Sequence, residues 1–273
     1  MTLAAVNHGT IDANGAQLYY EARGHGPAVL FISGATGDAG HFEAAAERLA
    51  DEFTAITYDR RGNSRSPRPN AWTRTSMAEQ AADAARLVEA LGAAPVVAFA
   101  TSGGGDVGIE LMLRYPEVLR GIVIHEPALI APIMSPEEGK ASIGTMLKTA
   151  MARGGPRAVV EAFIRHFAGS ENYDRLDPAL RERMLGNAET FLGAELDAFI
   201  GYKPEPAAIV ASKVPLRIGL GTESVPDAIG GAHWLADLLG VAPVVFAGGH
   251  TPYFDDAARF AETLRPVLRE LRS

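Results

Sequence analysis

The sequence predicts an α/β fold in which a mostly parallel central sheet carries helices on both faces and a helical cap is inserted between two of its strands. Two observations carry this. Wholly apolar runs ending in small-residue loops alternate with stretches of helical periodicity between residues 28 and 127, and strand character returns after residue 213. That rhythm is the mark of strands buried on both faces and joined by helical crossovers. Between them, residues 128–212 hold several helical patterns and no convincing strand. A chain of 273 residues lies near the upper size of a single hydrophobic core. The expectation is therefore one core domain, residues 1–127 and 213–273, with a cap subdomain at 128–212.

Each element has a local reason. Two short strands flank Asn14-Gly15, a pair suited to a tight hairpin. Ala28 to Ile32 is a uniformly apolar strand that ends in Ser33-Gly34-Ala35-Thr36-Gly37, and a helix follows on Phe42, Ala45, Ala46 and Leu49. Thr54 to Tyr58 is the next strand, closing in Asp59-Arg60-Arg61-Gly62-Asn63-Ser64-Arg65-Ser66. Ser76 with Glu79 reads as a capping box that opens a helix running to Gly92. Val96 to Phe99 is a strand, Val107, Ile109, Leu111 and Leu113 give a helix that stops before Pro116, and Gly121 to Ile124 is a strand ending at His125-Glu126-Pro127. In the insertion, helices are expected over Glu137 to Ala152, Pro156 to Phe167, from Asp177-Pro178, and over Phe191 to Ile200. Strands follow at Pro215 to Leu220 and Ala242 to Phe246, and the last helix carries Phe260, Leu264, Val267, Leu268 and Leu271.

Composition narrows the function. A formal net charge of −8, with no Lys/Arg cluster beyond Arg60-Arg61, argues against a nucleic-acid or anionic-membrane surface. The absence of cysteine removes disulfides, thiolate metal sites and a Cys nucleophile together. Met1 to His8 carries no signal-peptide pattern and no run approaches the ~20 apolar residues of a membrane span. The chain is read as cytoplasmic, with no cofactor and no metal called for. The oligomeric state is left open, a homo-oligomer included.

The chemistry centres on Val96 to Gly105. An apolar strand breaks into Thr101-Ser102-Gly103-Gly104-Gly105 and feeds a helix. Such a strained turn raises a serine hydroxyl above the sheet and aims the following N–H groups at a developing oxyanion. Close crossing of strand and helix calls for small residues two before and two after the serine, and Ala100 and Gly104 fill those places. No Gly-Lys-Ser/Thr follows, so a phosphate loop is disfavoured.

Four pieces in this chain order resemble the α/β-hydrolase family: Ser33 to Gly37, Asp59 to Ser66, the serine turn at Ala100 to Gly104, and Gly249-His250-Thr251-Pro252. The resemblance covers essentially the whole chain. A serine hydroxyl is a poor nucleophile at neutral pH and needs a base. His250, in a glycine-rich loop beyond the last strand, is the candidate. The oxyanion donors implied are the N–H of Gly103 and one from Gly34-Ala35, with Ala35 favoured. In most of the family the acid follows the strand that here spans Leu216 to Leu220, but Ser224 stands in the equivalent place. Glu126, one strand closer to Ser102, ranks first as the acid, Glu223 second and Asp227 third. His125-Glu126 together with Ser102 is similar to the lactone hydrolases that open the macrocycle of zearalenone.

The resemblance implies a cofactor-independent serine hydrolase acting on an ester or lactone of a mainly apolar small molecule. C–C bond hydrolysis, perhydrolysis and a ligand-binding protein with little turnover are the alternatives. Asp59 and Arg60 read as structural ties at a strand end away from the serine, and Asp106 as a helix-start charge. His8, His25, His41 and His233 read as surface or loop residues, and His166 as packing or surface.

Overall fold

The computed structural model describes residues 6–272. Eight strands form one sheet in the order β1-β2-β4-β3-β5-β6-β7-β8. The strands are β1 (Val6–Ala13), β2 (Ala16–Arg23), β3 (Ala28–Ile32), β4 (Thr54–Tyr58), β5 (Val96–Thr101), β6 (Leu119–His125), β7 (Leu216–Gly221) and β8 (Val244–Phe246). β1 and β2 pair as an antiparallel hairpin whose turn places Asn14 at φ 49° and Gly15 at φ 75°. β2 meets β4 antiparallel, and every pairing from β4 to β8 is parallel.

Side chains of β5 alternate between two cores although none is polar before Thr101. Val97 and Phe99 face a layer with α1 (Glu43–Leu49) and, at the far end of the chain, a helix at Ala257–Leu271, through Ala45, Leu49, Phe260 and Leu264. Val96, Ala98 and Ala100 face the opposite layer, with α2 (Met77–Ala90) and α3 (Gly103–Arg114), through Ala84, Val88, Val107 and Leu111. Burial of both faces is what permits an uninterrupted apolar strand. Ser76 caps α2 by accepting from the Glu79 N–H. The return half of the expected capping box does not form, because Glu79 Oε2 instead accepts from Trp72 Nε1 at 3.0 Å and Thr75 Oγ1 at 2.8 Å.

Between β6 and β7 the ordered elements are helical. They are α4 (Ile130–Ile133), α5 (Pro136–Ala168), α6 (Ser170–Arg175), α7 (Pro178–Gly186), α8 (Ala188–Thr190), a π-helical turn at Phe191–Glu195, α9 (Leu196–Gly201) and α10 (Pro206–Ala211). The two helices expected at 137–167 both form within the span of α5, separated at Gly154-Gly155, where the backbone leaves the helical region (Gly154 φ −162°, Gly155 φ 68°) ahead of Pro156. After β7 comes α11 (Pro226–Leu239), which the sequence reading did not assign. Its signals are present: Pro226 in the first turn, Ala228, Ala232, Leu235 and Ala236 buried, and Gly240 ending it at φ 65°. α12 (Pro252–Asp255) and α13 (Ala257–Leu271) complete the chain.

Sheet register fixes what meets at the carboxyl ends. Ile32 pairs with Ala100, Thr101 with His125, His125 with Gly219, and Gly221 with Phe246. The residues just beyond β3, β5, β6 and β7 therefore stand side by side, in the place where ligands bind in open parallel sheets.

Candidate active site

Ser102 ends β5 with φ 55° and ψ −132°, a conformation unfavourable for any residue with a Cβ. It persists because its backbone is held on both sides. The Ser102 N–H donates to the His125 carbonyl at 3.1 Å, and its own carbonyl accepts from Gly105 at 2.8 Å and Ala128 at 3.2 Å. Glycine follows because space demands it: a Cβ on Gly104 would stand 2.5 Å from the Ser33 carbonyl oxygen, and one on Gly34 would stand 2.7 Å from Ser102 Cβ. Alanine at position 100 is accommodated from the other side. A Cβ on Gly108 would lie 2.7 Å from that of Ala100, so the missing side chain is on the helix and not on the strand.

His250 Nδ1 lies 2.6 Å from Glu126 Oε2. Glu126 is fully buried, and its other oxygen accepts from the Gly221 N–H at 2.7 Å and from Ser224 Oγ at 2.6 Å. Ser224, at the family's usual acid position, thus donates to the carboxylate that stands one strand away. Burial pushes the Glu126 carboxyl up, but the hydrogen bond from His250, the charges of His125 and His250, and the Ser224 hydroxyl outweigh it and hold it below its ordinary value. His125 is neutral at pH 7, so its charge contributes to that effect only in acid. The other two acid candidates lie elsewhere. Glu223 is exposed on an outer cleft, and Asp227 is exposed with its Oδ2 3.1 Å from His166 Nε2.

Ser102, Gly103, Ala35, Glu126 and His250 share the wall of one cavity of about 110 Å³. The remainder is lined largely by the helical segment, through Met134, Ile143, Phe163, Phe167, Phe191 and Phe199 among others, with Asp227 at one edge. Gly103 opens α3, and the first N–H groups of a helix have no partner within it. The Gly34 carbonyl accepts from Arg60 Nη2 at 2.8 Å and from the Gly37 N–H at 3.2 Å. Because C=O and N–H of a trans peptide point in opposite directions, the Ala35 N–H points away from Arg60.

Several residues differ from their expected places. Arg60 is 1% exposed and ties the loop next to Ser102: its Nε donates to the Ser33 carbonyl at 3.0 Å, and its Nη atoms meet Glu195 of the π-helical turn at 2.5 and 3.1 Å. Asp106 stands in the first turn of α3, as the sequence suggests, and is fully buried there. Its Oδ1 accepts from the Leu129 N–H at 3.1 Å, and burial raises its carboxyl well above the ordinary value. His41 is buried on the turn before α1, its Nε2 3.4 Å from Thr36 Oγ1 and its ring against Phe254. The sequence suggests a surface or loop residue; the side chain turns inward instead.

A family model described as the α/β hydrolase fold matches residues 27–152. Over 272 residues, 97% of each chain, the protein is 29% identical to the uncharacterized hydrolase YraK of Bacillus subtilis. It is 28% identical over 116 residues to zearalenone hydrolase of Bionectria ochroleuca, which is 41% of this chain and 44% of that one. The thermophilic esterase of Thermogutta terrifontis superposes with a TM-score of 0.79 at 22% identity, covering 98% of this chain and 100% of its own. The sheet order, the strained serine turn and these likenesses define an α/β-hydrolase fold. Over the matched segment, and over nearly the whole length of YraK, the chain is similar to α/β hydrolases. Among the described residues no helix is long and apolar enough to cross a membrane.

One consequence of the site's burial can be measured without a substrate. Burial pushes the His125 imidazole down to about 4, against the attraction of Glu126. The unfolded chain takes up that proton near about 6.5, so it binds more protons than the folded chain from there down to about 4. Stability from this group is complete above about 6.5 and is lost as pH falls through the window. His125→Phe keeps a ring against Phe99 and Phe246. In urea unfolding between about pH 7 and about pH 5, this variant loses about 2 kcal/mol less stability than the parent; equal losses contradict a buried neutral imidazole.

Proposed function

We propose that the protein is a cofactor-independent serine hydrolase that cleaves an ester or lactone of a mainly apolar small molecule. The observation that carries this reading is the 2.6 Å contact of His250 Nδ1 with Glu126 Oε2 on the wall of the cavity that also holds Ser102. A carboxylate on Nδ1 fixes the imidazole tautomer and leaves Nε2 free to take a proton. Ser102 Oγ attacks the acyl carbon and gives its proton to His250. The oxyanion is held by the N–H groups of Gly103 and Ala35, and His250 returns the proton to the departing alcohol oxygen. Water, deprotonated by His250, then attacks the acyl carbon, and His250 returns that proton to Ser102 Oγ as the carbon–Oγ bond breaks and the acid leaves.

The substrate class rests on the cavity's aromatic and aliphatic lining, with support from the likeness to a zearalenone hydrolase over 116 residues. In this reading residues 128–212 form a cap that supplies most of that lining and keeps water from the acyl-enzyme. Glu223 and Asp227 are then bystanders, since one faces an outer cleft and the other pairs with His166.

Arg60 acts at one remove. Its grip on the Gly34 carbonyl turns the Ala35 N–H toward the oxyanion, and Glu195 holds the guanidinium in place from the helical segment. Lysine cannot reproduce that fork.

A fluorophosphonate probe is expected to label the parent on Ser102 and to leave Ser102→Ala unlabelled. A folded parent that does not label contradicts the serine mechanism and favours a binding protein. With a panel of apolar esters and lactones, Glu126→Gln is expected to lower kcat by about 10³ or more while Glu223→Gln stays near the parent; the reverse pattern moves the acid to Glu223. Arg60→Lys is expected to lower kcat by about 10- to 100-fold with little change in KM, because it weakens a donor that acts on the transition state. A change in KM alone contradicts that role.

A further inference from the structure

Two chambers meet at Ser102 and His250. The larger is the apolar cavity already described; the smaller, of about 40 Å³, shares Ala35, Ser102, Phe163, Phe167 and His250 with it and reaches toward α12. Its character is different on one wall. Thr36, His41 and Thr251 line it there, and all three are buried. Thr251 is 8% exposed, and its hydroxyl has no hydrogen-bond partner among the described residues. The only hydrogen bond of the His41 ring to another side chain among those residues is the long 3.4 Å contact with Thr36 Oγ1. Native interiors seldom leave such groups unpartnered, and an orphaned hydroxyl on the wall of a cavity asks for a ligand atom. No Asp, Glu, Lys or Arg lines the chamber, so a charged ligand group would be desolvated there without a counter-charge. At about 10–15 Å³ for each water-sized occupant, there is space for a group of about three heavy atoms.

We propose that this chamber is a subsite for a short, uncharged hydrogen-bonding arm of the substrate, a hydroxyl or keto group about three atoms from the carbonyl carbon. Thr251 Oγ1 is its principal partner, with Thr36 and His41 beside it, and the apolar remainder of the substrate fills the larger cavity. The proposal deepens the serine-hydrolase reading and rests on it. It explains why a site with so much aromatic lining keeps three hydrogen-bonding side chains on the far side of the reacting atoms. The preferred substrates are then esters and lactones with a hydroxyl or ketone close to the scissile bond on one side and a bulky apolar part on the other.

The test uses isosteric pairs in both orientations: 2-hydroxyethyl against propyl esters of one apolar acid, and 3-hydroxypropanoyl against butanoyl esters of one apolar alcohol. In one series the parent is expected to favour the hydroxylated member by about 3- to 10-fold in kcat/KM, the scale of one hydrogen bond between uncharged groups. Thr251→Val, which removes the hydroxyl at nearly constant volume, is expected to bring that ratio close to unity, and His41→Phe to reduce it. A ratio near unity in both series, or one that survives Thr251→Val, overturns the subsite while hydrolysis and Ser102 labelling leave the serine mechanism standing. Absence of both labelling and hydrolysis in the folded parent overturns the two together.

Discussion

The Arg60 guanidinium is the point on which core and helical segment depend jointly. It is 1% exposed and reaches the carbonyls of Ser33 and Gly34 on one side and Glu195, itself fully buried, on the other. Gln80 of α2 and Asn63 close the ring around it, Gln80 through Arg60 and Asn63 through Glu195 at 3.0 Å. A buried ion pair contributes little net stability over an apolar contact, yet removing one partner is costly because the other charge is stranded. What this pair supplies is geometric. A planar fork bound to two successive carbonyls admits one orientation of the loop after β3, and that loop packs directly on Ser102.

The same economy of arrangement governs the turn itself. Ser102, Glu126 and Leu129 all adopt positive φ, at 55°, 39° and 31°. None is glycine, so each position is strained, and the strain is shared by a small set of bonds. Ala128 donates to the Ser102 carbonyl and Leu129 to Asp106, the fourth residue along from the serine. The buried carboxyl at the start of α3 thus braces the segment that leaves β6. Strand end, helix start and the bend after Glu126 stabilise one another, and none would hold its shape alone.

How much of this could be read from the chain alone follows from how local each cause is. The strands and the serine turn were legible because uninterrupted apolar runs and a Thr-Ser-Gly-Gly-Gly sequence act through neighbours a few residues apart. Glu126 ranked first of three acid candidates, ahead of Glu223 and Asp227, because Ser224 stands in the usual acid position; of the three it is the one whose carboxylate meets His250 Nδ1, at 2.6 Å. What stayed hidden depends on distant partners. Glu195 lies 135 residues from Arg60, and nothing in Phe191-Leu192-Gly193-Ala194-Glu195 marks its glutamate apart from other surface carboxylates. Asp106 looked like an ordinary helix-start charge because the loop that covers it arrives from β6. His41 reads as a surface or loop residue because the ring packed edge-on against it, Phe254, comes from the other end of the chain. The α11 helix is the exception, since its proline start and glycine stop were there to be used.

Two buried carboxyls within one loop's reach end in opposite states, and the contrast accounts for the site's polarity. Asp106 accepts from the Leu129 N–H on one oxygen, and its other oxygen is buried with no hydrogen-bond partner among the described residues. Burial dominates there and drives the group toward its neutral form. Glu126 has donors on both oxygens: Gly221 and Ser224 on one, His250 on the other. Enough hydrogen bonds converge on it to reverse the cost of burial and keep it ionised. The negative charge of Glu126 is thereby held against the Nδ1 side of the His250 ring. A serine at position 224 is part of that arrangement, because an aspartate in its place would set a second carboxylate against Glu126 Oε1, where a hydroxyl now donates. The carboxylate after β6 and the hydroxyl donor after β7 therefore depend on each other.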